Sequence, residues 1–95
     1  MNQIVFLVDN QRCGYCRKFA PVIESNLRSM NDQARQQFIV DDKSKQDGGE
    51  WFNKLEYRGG IPCVALIKDG QVAALEPGYK DTARLAPMLA KMYMS

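Results

Sequence analysis

The chain has 95 residues and a formal net charge of +2; 45% of its residues are hydrophobic and 25% are charged. These values are typical of one small globular domain, so we expect residues 1–95 to fold as a single unit. The basic residues are scattered, which excludes the basic stripe of most nucleic-acid-binding proteins, and we expect no nucleic-acid partner. Three cysteines and no histidine exclude imidazole-based catalysis and leave too few soft ligands for a structural zinc site, so we expect no metal.

The apolar segments of the sequence are short. The first, residues 4–8, is too short for a signal-peptide core or a membrane span. The odd number of cysteines argues against a framework of structural disulfides. We therefore expect a cytoplasmic protein without a membrane partner.

The first part of the chain predicts a strand followed by a helix. Residues 3–8 are apolar and rich in β-branched and aromatic side chains, which is typical of a buried central strand. Residues 14–30 predict a helix that is kinked near Pro21 and has one apolar face, made of Phe19, Ile23, Leu27 and Met30. Residues 31–36 are polar and predict a connection.

A second strand and a short helix are predicted next. Residues 38–40 form a short apolar run that Asp41 and Asp42 end. Because a helix lies between the two strands, we expect a right-handed crossover and parallel strands. After a polar loop, residues 51–55 predict an amphipathic helix whose core residues are Trp51, Phe52 and Leu55.

A β-hairpin follows, with strands over residues 63–67 and 71–75. Asp69-Gly70 between them is the strongest hairpin signal in the chain. Two parallel strands and an antiparallel hairpin predict an α/β fold, in which a βαβ unit and the hairpin form a four-stranded mixed sheet with helices on both faces.

A helix is predicted after the hairpin, with Asp81 as its N-cap. Its inward residues at helical spacing are Leu85, Ala86, Leu89 and Met92 or Tyr93. Pro87 requires either that this helix is kinked or that it begins nearer residue 86.

Two cysteines, Cys13 and Cys16, stand between the first strand and the first helix. Helix residues three apart share a face, so the two sulfurs can come within bonding distance. The free amides and the dipole of the helix N-terminus, with the charges of Arg12, Arg17 and Lys18, favour a thiolate on Cys13 and lower its pKa from about 8.5. This arrangement predicts dithiol redox chemistry, with a redox-active Cys13–Cys16 disulfide and no other cofactor.

The dithiol segment resembles the active-site helix of thioredoxins through the residues Cys13-Gly14-Tyr15-Cys16-Arg17-Lys18-Phe19-Ala20-Pro21-Val22-Ile23-Glu24. The second half of the chain resembles the same family through Gly60-Ile61-Pro62, Lys68-Asp69-Gly70-Gln71-Val72-Ala73-Ala74 and Gly78. The chain is thus similar to the thioredoxin/glutaredoxin-like family, in a short form that lacks the strand and helix with which thioredoxins usually begin. This resemblance covers residues 4–30 and 57–93 and implies the thioredoxin fold.

The resemblance implies a thiol–disulfide oxidoreductase that reduces protein disulfides, with Cys13 as the nucleophile and Cys16 as the resolving thiol. It also implies that Pro62 is cis and lies against the dithiol, so that the backbone of Ile61 meets an extended substrate segment. The residues expected to contact substrate are Tyr15, Ile61, Pro62 and Gly78. Electrons would come from thioredoxin reductase or from glutathione, and we expect a monomer.

Four residues near the dithiol, Arg12, Arg17, Asp9 and Cys63, are candidate modulators of its chemistry. Asp9 either accepts the proton of Cys16 or is an exposed aspartate at a strand end. Cys63 is either an accessory thiol near the dithiol or a small, buried and inert side chain. Tyr15 stands where thioredoxins have a proline, which favours a redox potential less negative than theirs, at about −200 to −230 mV.

Two other functions stay open at this stage. A non-catalytic binding module or redox sensor would hold a partner beside Pro62 and use the dithiol as a switch. A dimer could instead bridge an iron–sulfur cluster through Cys13. Turnover of a disulfide substrate distinguishes the first alternative, and colour on purification distinguishes the second.

Overall fold

The computed structural model describes residues 2–95, which contain one four-stranded sheet. Its strands are β1 (Asn2–Val8), β2 (Phe38–Asp42), β3 (Cys63–Lys68) and β4 (Gln71–Pro77). The spatial order is β2-β1-β3-β4, with β1 and β2 parallel and the other two pairs antiparallel. The predicted α/β fold with a four-stranded mixed sheet is confirmed.

Helices pack on both faces of this sheet. They are α1 (Gly14–Arg28), α2 (Asp32–Arg35), α3 (Glu50–Lys54) and α4 (Thr82–Met94). The segment predicted as a polar connection joins α1 to β2, and it contains the short α2, which the sequence pattern did not predict. Its N-cap Asn31 accepts a hydrogen bond from the amide of Ala34 at 2.8 Å, which stabilises one helical turn without an apolar face. Within residues 2–95, none of the helices has the length and apolarity needed to cross a membrane.

The larger core lies on the face of the sheet that α1 and α4 cover, here named the α1/α4 face. Alternate residues of β1 and β3 point into it and meet the apolar stripes of both helices. Its buried residues are Ile4, Phe6, Val8, Cys16, Phe19, Ile23, Leu27, Phe38, Val64, Leu66, Leu85, Leu89 and Met92. The predicted inward face of α1 is confirmed, with Met30 partly buried beyond the end of the helix.

The smaller core lies on the opposite side of the sheet, here named the α3 face. Its buried residues are Val5, Leu7, Phe52, Cys63, Ala65 and Ile67. Trp51 and Leu55 pack against this cluster but are only partly buried. Because β1 contributes to both cores, its residues 4–8 are all buried, as expected for a central strand.

Strand β2 is longer than predicted, because Asp41 and Asp42 belong to it and are buried. Asp41 faces the N-terminus of α3. Its carboxylate accepts hydrogen bonds from the amides of Gly49 at 2.6 Å and Trp51 at 2.7 Å, and from Phe52 at 3.3 Å. These amides lack partners inside the helix, so the carboxylate caps α3 from a neighbouring strand.

Helix α4 begins at Thr82 and continues through Pro87. Its N-cap is Asp81, as predicted, and the side chain accepts a hydrogen bond from the amide of Arg84 at 3.1 Å. A start near residue 86 is therefore wrong.

Ala86 was expected in the core but is exposed, whereas Met92 is buried and Tyr93 is partly buried against Phe38.

The two ends of the described chain meet. The side-chain amide of Asn2 donates hydrogen bonds to the carbonyl oxygen of Met92 at 3.2 Å and to that of Ser95 at 2.7 Å. The start of β1 is thereby joined to the end of α4.

Candidate active site

Cys13 and Cys16 lie at the N-terminus of α1, where β1 has just ended. Cys13 is the N-cap in an extended conformation, its Cα is 5.1 Å from that of Cys16, and a disulfide joins the two sulfurs. The amide of Cys16 donates to Cys13 Sγ at 3.0 Å. A helix amide and the positive end of the helix dipole therefore both act on the Cys13 sulfur, a placement that stabilises a thiolate once the disulfide is reduced.

The two sulfurs differ in accessibility. Cys13 is partly buried, whereas Cys16 is completely buried in the α1/α4 core. An external disulfide can reach only a sulfur that is accessible, so the geometry favours Cys13 as the attacking group. Gly14 and Tyr15 between them are exposed, and the Tyr15 side chain is 65% exposed.

The turn between β1 and Cys13 is organised by Asp9. Its carboxylate accepts hydrogen bonds from the amides of Gln11 and Arg12, both at 3.1 Å, and its carbonyl accepts one from the amide of Cys13 at 3.0 Å. Asp9 is only 4% exposed, so the expectation of an exposed strand-end aspartate is wrong. Capping this turn explains why the carboxylate is buried. Proton acceptance from Cys16 by Asp9 stays a prediction.

Arg17 holds the same turn from the side of α1. Its guanidinium donates to the carbonyl oxygens of Asn10 at 3.3 Å and Gln11 at 3.0 Å. It therefore fixes the position of the turn in addition to placing a positive charge near Cys13. Arg12 is exposed.

Asp42 ties the turn to β2. Its carboxylate accepts hydrogen bonds from the amide of Asn10 at 3.1 Å and from the hydroxyl of Ser44 at 2.6 Å. Burial raises the pKa of Asp42, but the hydrogen bonds from Ser44 and Asn10 and the charge of Lys45 outweigh that effect and leave the pKa below its usual 3.8. The carboxylate is thus held ionised beside the turn that carries Cys13.

A cavity of about 430 Å³ lies behind α1 and extends to the edge of β2. Cys16, Asn10 and Asp42 line part of it, with apolar walls from Ala20 and Val40. The side-chain oxygen of Asn10 is buried and has no hydrogen-bond partner among the described residues. The spacing of residues in the sequence does not predict this cavity, because the cavity is formed between α1 and β2 in the folded protein.

A second loop approaches the dithiol from the start of β3. The Ile61–Pro62 peptide bond is cis, and the Ile61 carbonyl oxygen lies 3.8 Å from Cys13 Sγ. The amide of Gly78 donates to the carbonyl oxygen of Pro62 at 2.7 Å, which joins the end of β4 to this loop. The structure therefore brings Cys13, Ile61, Pro62 and Gly78 together.

Tyr79 is a neighbour of this region that the sequence analysis did not select. Its ring packs edge-on against Phe19 with centroids 5.7 Å apart, and the ammonium of Lys18 lies 4.7 Å above it. These contacts join the Gly78 segment to α1. Its position directly after Gly78, which is predicted to contact substrate, is the feature of the sequence that could have indicated Tyr79.

Cys63 lies on the other side of the sheet from the dithiol. Its side chain is completely buried in the α3 face, whereas Cys16 is buried in the α1/α4 face. Burial raises the pKa of Cys63, although a hydrogen bond with Tyr57 acts in the opposite direction. A buried, protonated thiol is a weak nucleophile, so this placement favours the inert interpretation.

The sequence is similar to those of bacterial thioredoxins, although no protein-family model matches it. Thioredoxin of Rhodospirillum rubrum is 32% identical over 73 residues, which is 77% of this chain and 65% of that protein. Thioredoxin of Bacillus subtilis is 28% identical over 79 residues, or 83% of this chain and 71% of that protein. The chain thus spans just under two thirds of the first relative.

Solved thioredoxin structures share the fold. Fasciola hepatica thioredoxin superposes with a TM-score of 0.69 at 22% identity, covering 96% of this chain and 80% of that one. Chloroplastic thioredoxin z superposes with a TM-score of 0.67 at 18% identity, covering all of this chain and 80% of that one. Together with the four-stranded sheet, these structures show that the chain has the thioredoxin fold, and its sequence is similar to those of two thioredoxins.

Proposed function

We propose that the protein is a thiol–disulfide oxidoreductase that reduces disulfides in other proteins. The observation that carries this proposal is the position of Cys13: it is the N-cap of α1, its sulfur accepts the Cys16 amide, and it is accessible while Cys16 is buried. A helix N-terminus stabilises a thiolate, and a thiolate attacks disulfides. The similarity to two thioredoxins supports the same activity.

The proposed reaction transfers two electrons in two exchange steps. The Cys13 thiolate attacks one sulfur of the substrate disulfide, forms a mixed disulfide and releases the other substrate sulfur as a thiolate, which takes up a proton. Cys16 then loses its proton and attacks the Cys13 sulfur. This step forms the Cys13–Cys16 disulfide and releases the second substrate sulfur, so the substrate is reduced and the protein is oxidised.

The substrate is proposed to bind as an extended segment beside the cis-proline loop. The Ile61 backbone lies next to the Cys13 sulfur, and Pro62 is held from behind by the Gly78 amide. An extended peptide can add hydrogen bonds to the backbone of the partly buried Ile61 while its disulfide points at Cys13. The exposed Tyr15 ring is placed to contact the same segment.

A reducing compartment such as the cytoplasm is the proposed location, and a monomer is the proposed form. The oxidised dithiol requires a two-electron donor, which is either a flavoprotein thioredoxin reductase or glutathione. Parallel turnover with thioredoxin reductase plus NADPH, and with glutathione plus its own reductase, identifies the donor. Size-exclusion chromatography of the reduced protein tests the monomer.

Insulin reduction with dithiothreitol as the electron source tests the central proposal. We expect the wild-type protein to accelerate precipitation of the insulin B chain and Cys13→Ser to show no acceleration. An inactive wild-type protein that still binds a partner would support the binding-module or redox-sensor alternative and overturn the enzyme.

A further inference from the structure

The loop that carries Ile61 contains two consecutive exposed glycines, Gly59 and Gly60. Glycine gives the backbone the widest conformational freedom, so some other contact must hold this loop against the dithiol. We propose that Tyr57 is a positioning residue whose hydroxyl holds residues 59–62 in the conformation that presents the Ile61 backbone to substrate. This inference rests on the substrate-binding role of Ile61 proposed above.

The Tyr57 hydroxyl closes the turn by a hydrogen bond to the Gly60 carbonyl oxygen at 2.6 Å. That carbonyl belongs to the peptide unit that precedes Ile61, and the Ile61 carbonyl oxygen lies 3.8 Å from Cys13 Sγ. The hydrogen bond therefore acts one residue away from the backbone that meets the dithiol.

The ring of Tyr57 is itself anchored in the α3 face. The ring centroid lies 6.2 Å from that of Phe52. The backbone amide of Tyr57 also donates a hydrogen bond to the Phe52 carbonyl oxygen at 2.9 Å. Burial, with a contact to Cys63, raises the pKa of Tyr57 to about 12. The side chain is therefore a neutral hydroxyl donor at every pH at which a thiol–disulfide exchange assay is run.

Gly59 provides an independent sign that the ring and the loop fit together. A Cβ at residue 59 would lie 2.6 Å from the Tyr57 hydroxyl oxygen and 2.7 Å from the ring carbon that bears it. Real Cβ atoms do not approach other atoms so closely, so the absence of a side chain at Gly59 is what allows the Tyr57 ring to close over the loop. A Cβ at Gly60 would meet no atom within 4 Å.

Losing this hydrogen bond leaves Cys13 and α1 unchanged but allows the loop to leave its binding conformation. Substrate must then order the loop when it binds, which weakens binding and has little effect on the exchange step. One net hydrogen bond corresponds to a change of about threefold to tenfold in KM.

The experiment compares wild type with Tyr57→Phe, Gly59→Ala and Tyr93→Phe, with insulin as the disulfide substrate and dithiothreitol as the electron source. Tyr93→Phe is the matched control, because it also removes one tyrosine hydroxyl but lies against Phe38, away from the loop. We expect a threefold to tenfold higher KM in Tyr57→Phe and Gly59→Ala, a kcat within about twofold of wild type, and no change in Tyr93→Phe. Gly60→Ala should raise KM less than Gly59→Ala does.

The double variant Tyr57→Phe/Gly59→Ala should raise KM no further than the larger single effect, because both changes remove the same contact. Amide hydrogen exchange at residues 60 and 61 gives a readout independent of turnover, and it should be faster in Tyr57→Phe than in wild type.

If wild type reduces insulin and Tyr57→Phe keeps the KM and the exchange rates of wild type, the positioning role is wrong. If wild type does not reduce insulin but amide hydrogen exchange at residues 60 and 61 is faster in Tyr57→Phe, the proposed function is wrong. The role of Tyr57 in holding the loop is then supported. Should Tyr57→Phe fail to fold, Gly59→Ala decides by the same measurements.

Discussion

The two faces of the sheet are stabilised in different ways. The α1/α4 face has helices of 15 and 13 residues, each with a long apolar stripe against β1 and β3. The α3 face has a helix of five residues whose N-cap, Gly49, has no side chain to cap it. There, two polar groups supply what the short helix lacks: the Asp41 carboxylate caps α3, and the Tyr57 hydroxyl closes the following loop.

This difference corresponds to a division of tasks around the dithiol. The face with extensive apolar burial carries both sulfurs, so the proposed covalent chemistry rests on a helix that is packed in the larger core. The face held by hydrogen bonds supports the loop that we propose meets the substrate. Substitutions on the two sides should therefore affect different quantities, namely chemistry on one side and stability or substrate binding on the other.

The largest effects are expected at the sulfurs of the α1/α4 face. Cys13→Ser should lower disulfide reduction more than a thousandfold, because no other accessible thiol replaces the nucleophile. Cys16→Ser should accumulate a mixed disulfide between Cys13 and the substrate, detected by mass spectrometry under non-reducing conditions. Multiple turnover by Cys16→Ser would contradict its role as the resolving thiol.

The next effect is a stability loss on the α3 face. Asp41→Ala should lower the free energy of unfolding by about 2–4 kcal/mol, because it leaves the amides of Gly49, Trp51 and Phe52 without an acceptor. The control is Asp81→Ala, which removes a local N-cap on the other face and should cost about 1 kcal/mol. Urea denaturation measures the free energy of unfolding of both variants. An equal or larger loss for Asp81→Ala would contradict the proposed difference between the two faces.

A smaller effect is expected at Tyr15, which is exposed beside the sulfurs and contributes little to packing. Proline is tolerated in the first turn of a helix and is the residue that the thioredoxin motif has at this position. Tyr15→Pro should make the redox potential more negative by about 30 mV, or about 1.4 kcal/mol, with little change in stability. Equilibration with glutathione measures the potential, and an unchanged or less negative value would contradict the prediction.

The smallest effect is a pH dependence that comes from Asp42. Its pKa is lowered in the folded protein, so its ionised form adds stability above the unfolded pKa and loses that contribution as the pH falls through the folded pKa. Asp42→Asn should therefore be less stable than wild type at pH 6, and the difference should shrink towards pH 3. Urea denaturation at both pH values tests this, and a constant difference would show that ionisation of Asp42 is unimportant.

Much of the fold follows from local patterns in the sequence. The buried run in β1, the apolar stripe of α1 and the Asp69-Gly70 turn each predict their element from a few neighbouring residues. The motif Cys13-Gly14-Tyr15-Cys16 likewise places two sulfurs at a helix start, because strand, turn and helix follow one another in the chain.

The remaining features depend on residues that meet only in the folded protein. Asp41 and Asp42 were interpreted as ending a strand, since nothing local shows that each carboxylate will meet distant amides. Asp9 was expected to be exposed because the turn it caps was not recognised. The closure of Tyr57 over Gly59 requires the conformation of the whole loop, which residue types alone do not specify.

The hydrogen bonds of Asn2 to the carbonyl oxygens of Met92 and Ser95 bring the first and last described residues side by side. A linker of a few residues could therefore join these ends, and new termini could be opened at the turn around Gly70. In such a circular permutant, β4 would be synthesised first and β3 last, while the dithiol helix and the cis-proline loop would keep their order. The same active site would then be assembled by a chain in which the two strands of the hairpin are no longer neighbours in sequence.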